Sequence, residues 1–165
     1  DDDMLAAPGE AFKLAMKSVN GARVYVAAMC AGMLAASLET ALAYGNARQA
    51  FGKSLLGHQG LAWSLAETAT DLEALRKLTR DAGLLVDEQQ DAVMAAAQAK
   101  AFAGRVTLRG IETCIQAMGA AGLRREHGLG RHMAAAKIAA FTDGSSEMMY
   151  ERIAAGMVKA YGPSR

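Results

Sequence analysis

Proline is almost absent from this chain: two occur in 165 residues, Pro8 and Pro163, both close to the ends. Everything between them is free of the strongest helix breaker. β-Branched residues are sparse, and no run alternates apolar and polar residues as a half-buried strand would. Cysteine is scarce too. Cys30 and Cys114 both sit inside helical patterns, which excludes a disulfide framework and suits small buried residues of a reduced, cytoplasmic protein. Neither stands at a metal-ligand spacing from His58, His127 or His132, and no Glu-x-x-His pair occurs, so no metal is expected. Charge of one sign is missing as well: 18 basic and 17 acidic residues leave a net charge of +1, no basis for a general nucleic-acid binder. No uninterrupted apolar run reaches the length of about 18 residues that marks a membrane span. Asp1-Asp2-Asp3 lacks the basic and apolar regions of a secretory signal.

What remains is a globular composition, 52% hydrophobic, rich in Ala, Leu, Met, Glu, Gln, Lys and Arg, all strong helix formers. The length suits one domain with a real core. The pattern predicts a short helix over 10–17 and a long one over 20–49, with a stripe of Val24, Ala27, Ala28, Ala31, Leu34, Ala35, Leu38 and Leu42. A connection over 51–58 leads to a helix over 59–86, with Leu61, Leu65, Ala69, Leu72, Leu75 and Leu78 near one face. A fourth helix is expected over 91–118, then a loop over 119–130 carrying four glycines, then helices over 131–141 and 147–158. Long helices joined by short connections predict an all-α, antiparallel up-and-down bundle. The ten methionines, Trp63 and Phe12 are expected to fill its core.

Thr142-Asp143-Gly144-Ser145-Ser146-Glu147 reads locally as a helix start: Asp-Gly favours a turn, and either serine can cap the next helix. Upstream stand Arg48-Gln49-Ala50-Phe51-Gly52-Lys53 with His58 and Gln59, and then Gln116-Ala117-Met118-Gly119-Ala120. Arg48 alone reads as a solvated charge at the negative pole of a helix. Gly119 alone reads as a helix C-cap. Asn20 and Arg23 lie near the start of the long helix. In this order and spacing the segments resemble the C-terminal helical domain of the acyl-CoA dehydrogenases, with Pro8-Gly9-Glu10-Ala11-Phe12 similar to the family's exit from its middle β domain. Residues 1–9 are then a linker remnant and 10–162 the helical domain.

The resemblance implies an FAD enzyme that oxidises an acyl-CoA thioester at Cα–Cβ. It makes Asp143 the catalytic base, where the family usually carries glutamate. It assigns Arg48, Phe51, His58, Gln59, Gln116, Ala117, Gly119, Ala120, Ser145 and Glu147 to FAD, with Arg48 reaching the pyrophosphate of a neighbouring subunit. Asn20, Arg23 and Gly144 fall near the acyl-CoA. Departures from the family's pattern are Ala120 for a glycine, Ala134-Ala135 for an Arg-Asp pair, and Tyr150 for an arginine. The implied partners are an acyl-CoA, further copies of the chain as dimer or tetramer, and an electron-transfer flavoprotein or other acceptor. Asp1 reads as the middle of a longer polypeptide, so the fragment by itself is expected to be inactive. Two alternatives stay open. An aspartate base is also the arrangement of the related nitroalkane oxidases, and the domain read without its flavin is a helical assembly module.

Overall fold

The computed structural model describes residue 7 and residues 9–162. The first helix, α1, runs unbroken over Ala11–Ala47. The expected break near residue 18 does not occur. Gly21 costs a helix interior about 1 kcal/mol, but no proline intervenes and Asn20 and Arg23 are both buried, so the helix continues. It ends two residues earlier than expected, because 49–54 forms a small hairpin that the sequence did not signal as strand. Gln49–Ala50 (β1) pairs antiparallel with Lys53–Ser54 (β2), in register Gln49 with Ser54 and Ala50 with Lys53. Between them Phe51 and Gly52 both take positive φ, 52° and 79°, as a two-residue hairpin turn of the I′ kind requires.

Helix α2 spans Gln59–Asp87 and α3 spans Val93–Met118. The expected loop over 119–130 is tightened by two 3-10 turns, Gly119–Leu123 and Arg125–His127. Helices α4 (Leu129–Ala139) and α5 (Ser146–Tyr161) close the chain. The all-α bundle expected from the sequence is the fold observed. The linker remnant expected over 1–9 falls almost wholly outside the described residues.

α1, α2 and α3 pack on one another, and α4 and α5 lean on α3. Leu34, Leu38, Leu65, Leu72, Leu75, Val106, Ile111 and both cysteines meet in the core. Burial raises the Cys114 thiol to about 12, so it stays protonated. At Gly110 three helices nearly touch: a Cβ there would stand 2.5 Å from Leu34 Cδ1 and 3.0 Å from Thr68 Cγ2.

Two expectations are corrected. Phe12 is 77% exposed and Trp63 63% exposed, so neither anchors the core of this chain. Among the described methionines only Met118 and Met149 are buried, and Met29, Met148 and Met157 are exposed. Helix α1 from Leu14 to Ala47 is, by length and composition alone, long and apolar enough to cross a membrane. Counting uninterrupted apolar runs missed this, because its polar residues are spread thinly. In the bundle it packs against α2 and α3, with 44% of its apolar window buried.

Gly110→Ala is expected to lower stability by about 1 kcal/mol, since overpacking of about 1–3 kcal/mol outweighs the helix propensity that alanine adds. Urea unfolding of the two proteins measures it, and an equal or higher midpoint for the alanine variant would contradict the close approach.

Candidate functional site

The turn between α4 and α5 carries Asp143. Thr142 Oγ1 donates to Ile138 O at 3.2 Å, turning back on the end of α4. Asp143 then adopts φ 55° and Gly144 φ 104°. Left-handed backbone is costly for most side chains, and aspartate is among the few that tolerate it. The residue that shortens the side chain therefore also eases the backbone. Gly144 has no such choice, because a Cβ there would meet Met149 Cε at 3.0 Å. Ser145 caps α5 by accepting from Met148 N, as one of the two readings of the serines anticipated. The Ser145 hydroxyl, and next the backbone amide of Glu147, hold the Glu147 carboxyl below the usual carboxylate range.

Two buried cations hold this turn from beneath. Arg23, 3% exposed on α1, donates Nε to the Asp143 carbonyl at 3.1 Å and Nη1 to Asn20 Oδ1 at 3.1 Å. Lys100, 2% exposed on α3, donates Nζ to the Gly144 carbonyl at 2.6 Å and to the Ala139 carbonyl at a longer 3.4 Å. Burial draws the Arg23 pKa down, the Arg152 charge draws it further, and Asp143 opposes both. Burial likewise lowers the Lys100 pKa, against the opposing pull of Cys30 and Asp143. Asp143 itself is half-buried at the rim, above the two cations. Asn20, Arg23, Asp143, Gly144, Ser145 and Glu147 thus gather at one end of the bundle. Sequence reasoning missed Lys100. Its signal was there: a lone charge within the alanine-rich run 95–103.

Two clefts adjoin this end. One of about 690 Å³ lies among Phe12, Met16, Asn20, Val86, Val93 and Arg152. The other, about 520 Å³, runs between α1 and α4 past Met29, Met33, His132, Ile138 and Thr142. Beneath the second, buried Ser37 donates Oγ to Met33 O at 2.8 Å. His132 Nδ1, 3.1 Å away, must then donate to Ser37, which fixes the ring tautomer.

Arg48, Phe51, His58, Gln59, Gln116, Ala117, Gly119 and Ala120 lie at the other end. Arg48 follows the last turn of α1, exposed and without an ion-pair partner among the described residues. Phe51 is 97% exposed at the tip of the hairpin, edge-on to His58 at 6.1 Å between centroids. His58 Nε2 donates to Ala50 O at 3.0 Å, tying that tip to the start of α2, where Gln59 is exposed. Gln116 and Ala117 line a groove with Leu61 and Ser64, so the two segments adjoin. Gly119, with φ 61°, ends α3 and has no heavy atom near the place of a Cβ, leaving its backbone open to a ligand. From Arg23 to Arg48 α1 rises roughly 37 Å at about 1.5 Å per residue. One copy of the chain therefore does not bring the two groups of residues together.

Ser145→Ala is expected to cost about 0.5–1 kcal/mol as the cap is lost. The Glu147 carboxyl then titrates closer to its ordinary value. A depressed carboxyl contributes stability that is present above its unfolded value and lost as pH falls through the folded one. The acid loss of stability is accordingly smaller in the variant. NMR titration of Glu147 with thermal melts at pH 3 to 7 checks both, and an unmoved Glu147 titration contradicts the hydrogen bond.

Residues 9–158 match the family described as "Acyl-CoA dehydrogenase, C-terminal domain". The short-chain specific acyl-CoA dehydrogenase of Megasphaera elsdenii is 34% identical over 147 residues, 89% of this chain and 38% of that protein. The butyryl-CoA dehydrogenase structure from Megasphaera elsdenii superposes with a TM-score of 0.91 at 32% identity, over 94% of this chain and 41% of that one. PigA, solved with FAD and proline, gives a TM-score of 0.81 at 29% identity, over 85% of this chain and 37% of that one. The chain spans about two-fifths of the length of the relatives it matches.

Proposed function

The chain belongs to the acyl-CoA dehydrogenase family, as its C-terminal domain, and from that premise we propose that it supplies the base and part of the flavin site of an enzyme oxidising an acyl-CoA thioester at Cα–Cβ. The observation that carries this reading is the Asp143–Gly144 turn, its two carbonyls held by buried Arg23 and Lys100. Asp143 takes the α-proton of the thioester. Such a base works when its carboxylate is held within hydrogen-bond reach of that proton and water is excluded.

The residues at the far end suit FAD. An exposed guanidinium without an ion pair among the described residues offers a planar fork for phosphate oxygens at Arg48. Phe51 offers an aromatic face, and Gly119 an open backbone. Gln59, Gln116, Ala117 and Ala120 border these, while Ser145 and Glu147 stand beside the base. When bound, FAD accepts the hydride that leaves Cβ. Because the two groups of residues are separated along α1, Arg48 of one copy serves the cofactor at the Asp143 of another, in a dimer or tetramer. Asn20 and Gly144 border the path of the thioester, and electrons pass on to an electron-transfer flavoprotein or another acceptor.

Aspartate reaches about 1 Å less far than glutamate, and misplacement of that size costs on the order of a hundredfold in rate. The reading therefore assigns this enzyme an acyl group bulkier or more cyclic than a straight chain, seated closer to the turn. Arg152, close enough to depress the Arg23 pKa, favours a second reading in which Asp143 deprotonates a nitroalkane without CoA.

The test uses the polypeptide that contains this domain together with the remaining segments of its relatives. Flavin bleaching under anaerobic conditions by one class of acyl-CoA, slowed at least a hundredfold in Asp143→Asn, is the expected result. Asn keeps the left-handed turn, so its melting temperature should stay within a few degrees of wild type. Flavin that stays oxidised with every acyl-CoA but bleaches with a nitroalkane turns the assignment to the second reading. A protein without flavin leaves a helical assembly module.

A further inference from the structure

We propose that Lys100 is a positioning residue for the Asp143 carboxylate: its buried ammonium holds the turn onto α3 through the Gly144 carbonyl. The inference rests on Asp143 being the base and goes beyond it, because neither the sequence motifs nor the family match assigns Lys100 a part.

Lys100 stands among Ala96, Ala97, Ala99, Ala101 and Ala103, all buried. An ammonium in such surroundings is costly unless its donors are used. It forms no ion pair within 4 Å of a carboxylate among the described residues. Its donors go instead to two carbonyls, Gly144 O at 2.6 Å and Ala139 O at 3.4 Å. The first belongs to the residue after the base. The second belongs to the last residue of α4, one of the helix-end carbonyls that lack a partner within the helix. One ammonium thus bridges the two ends of the segment that presents Asp143. One turn further along α3, Gly104 admits the same segment closely: a Cβ there would stand 3.0 Å from Ser146 Oγ. Lys100 and Gly104 together form a seat for the turn.

With Arg23 on the Asp143 carbonyl and Lys100 on the next one, the peptide planes on both sides of Gly144 are anchored. That fixes the direction in which the Asp143 side chain leaves the backbone. An aspartate has one torsion fewer than a glutamate with which to correct a displaced backbone, so its reach depends more heavily on this anchoring. The ammonium charge also interacts favourably with the Asp143 carboxylate.

The test compares Lys100→Met, similar in length and uncharged, with wild type in the flavin-loaded polypeptide. Flavin content is expected to be retained. Bleaching at saturating acyl-CoA slows about tenfold or more, while the half-saturating concentration changes less than twofold, the signature of a displaced base and not of lost substrate binding. Native-state hydrogen exchange accelerates in the peptide covering 139–149 and stays at wild-type rates in the α1–α3 core. Lys100→Arg, which keeps charge and donors, recovers part of the rate. Wild-type bleaching in Lys100→Met, or slow bleaching with unchanged exchange, overturns the proposal. Should Lys100→Met fail to fold, Lys100→Gln, neutral and too short to reach Gly144, carries the same expectations and is overturned by the same results. Wild-type bleaching in Asp143→Asn overturns the assignment of the base and this inference with it, whereas a failure confined to the Lys100 variants leaves that assignment standing.

Discussion

A left-handed aspartate followed by a left-handed glycine does not stay in place unaided, and the site depends on what holds that pair. The backbone of Asp143 and Gly144 departs from the helical path of α4 and re-enters a helix at Ser146. Their carbonyls face the bundle and are partly shielded from water, so donors from the protein serve them. Arg23 and Lys100 are those donors. The same two contacts satisfy part-buried carbonyls and use buried cations, and they tie the conformation of the turn to the bundle.

The bundle provides the fixed points. α1 and α3 lie side by side, and the close approach at Gly110 sets how near α3 comes to α1 and α2. Arg23 and Lys100 belong to different helices, so their relative placement is inherited from that packing. Leu34, Leu75 and Ile111, fully buried, resist its change. Side chains in a close-packed interior move little without cost. The placement of the turn at the rim is in this sense a property of the core.

The length of α1 has a consequence of another kind. One rigid element carries Arg23 about a third of the way along and leads to Arg48 just past its end. Asp143, the proposed base, and Arg48 are thereby held far apart in one chain, and a flavin site that used both would draw on two copies. The exposed side chains Phe51, Phe141, Ile138 and Tyr161 give such copies apolar surface to bury.

Helix content, element order and the serine cap of α5 were legible in the sequence, because helix propensity, the absence of interior proline and capping chemistry act over a few residues. The stripe on α2 was legible for the same reason. Leu65, Leu72 and Leu75 are buried as their spacing requires. The continuity of α1 through Gly21 and the hairpin at Phe51–Gly52 were not, since tertiary packing and a two-residue turn overrode local preference. Nor were the exposed Phe12 and Trp63, whose size suggested a core they do not join. Only the tertiary structure decided that Arg23 meets Asp143 across 120 residues and that Lys100 meets Gly144 across 44. Local chemistry specifies which segments become helices. Which helix faces meet is settled by burial of apolar surface over the whole bundle, and the lysine beneath the turn became visible only once those faces had met.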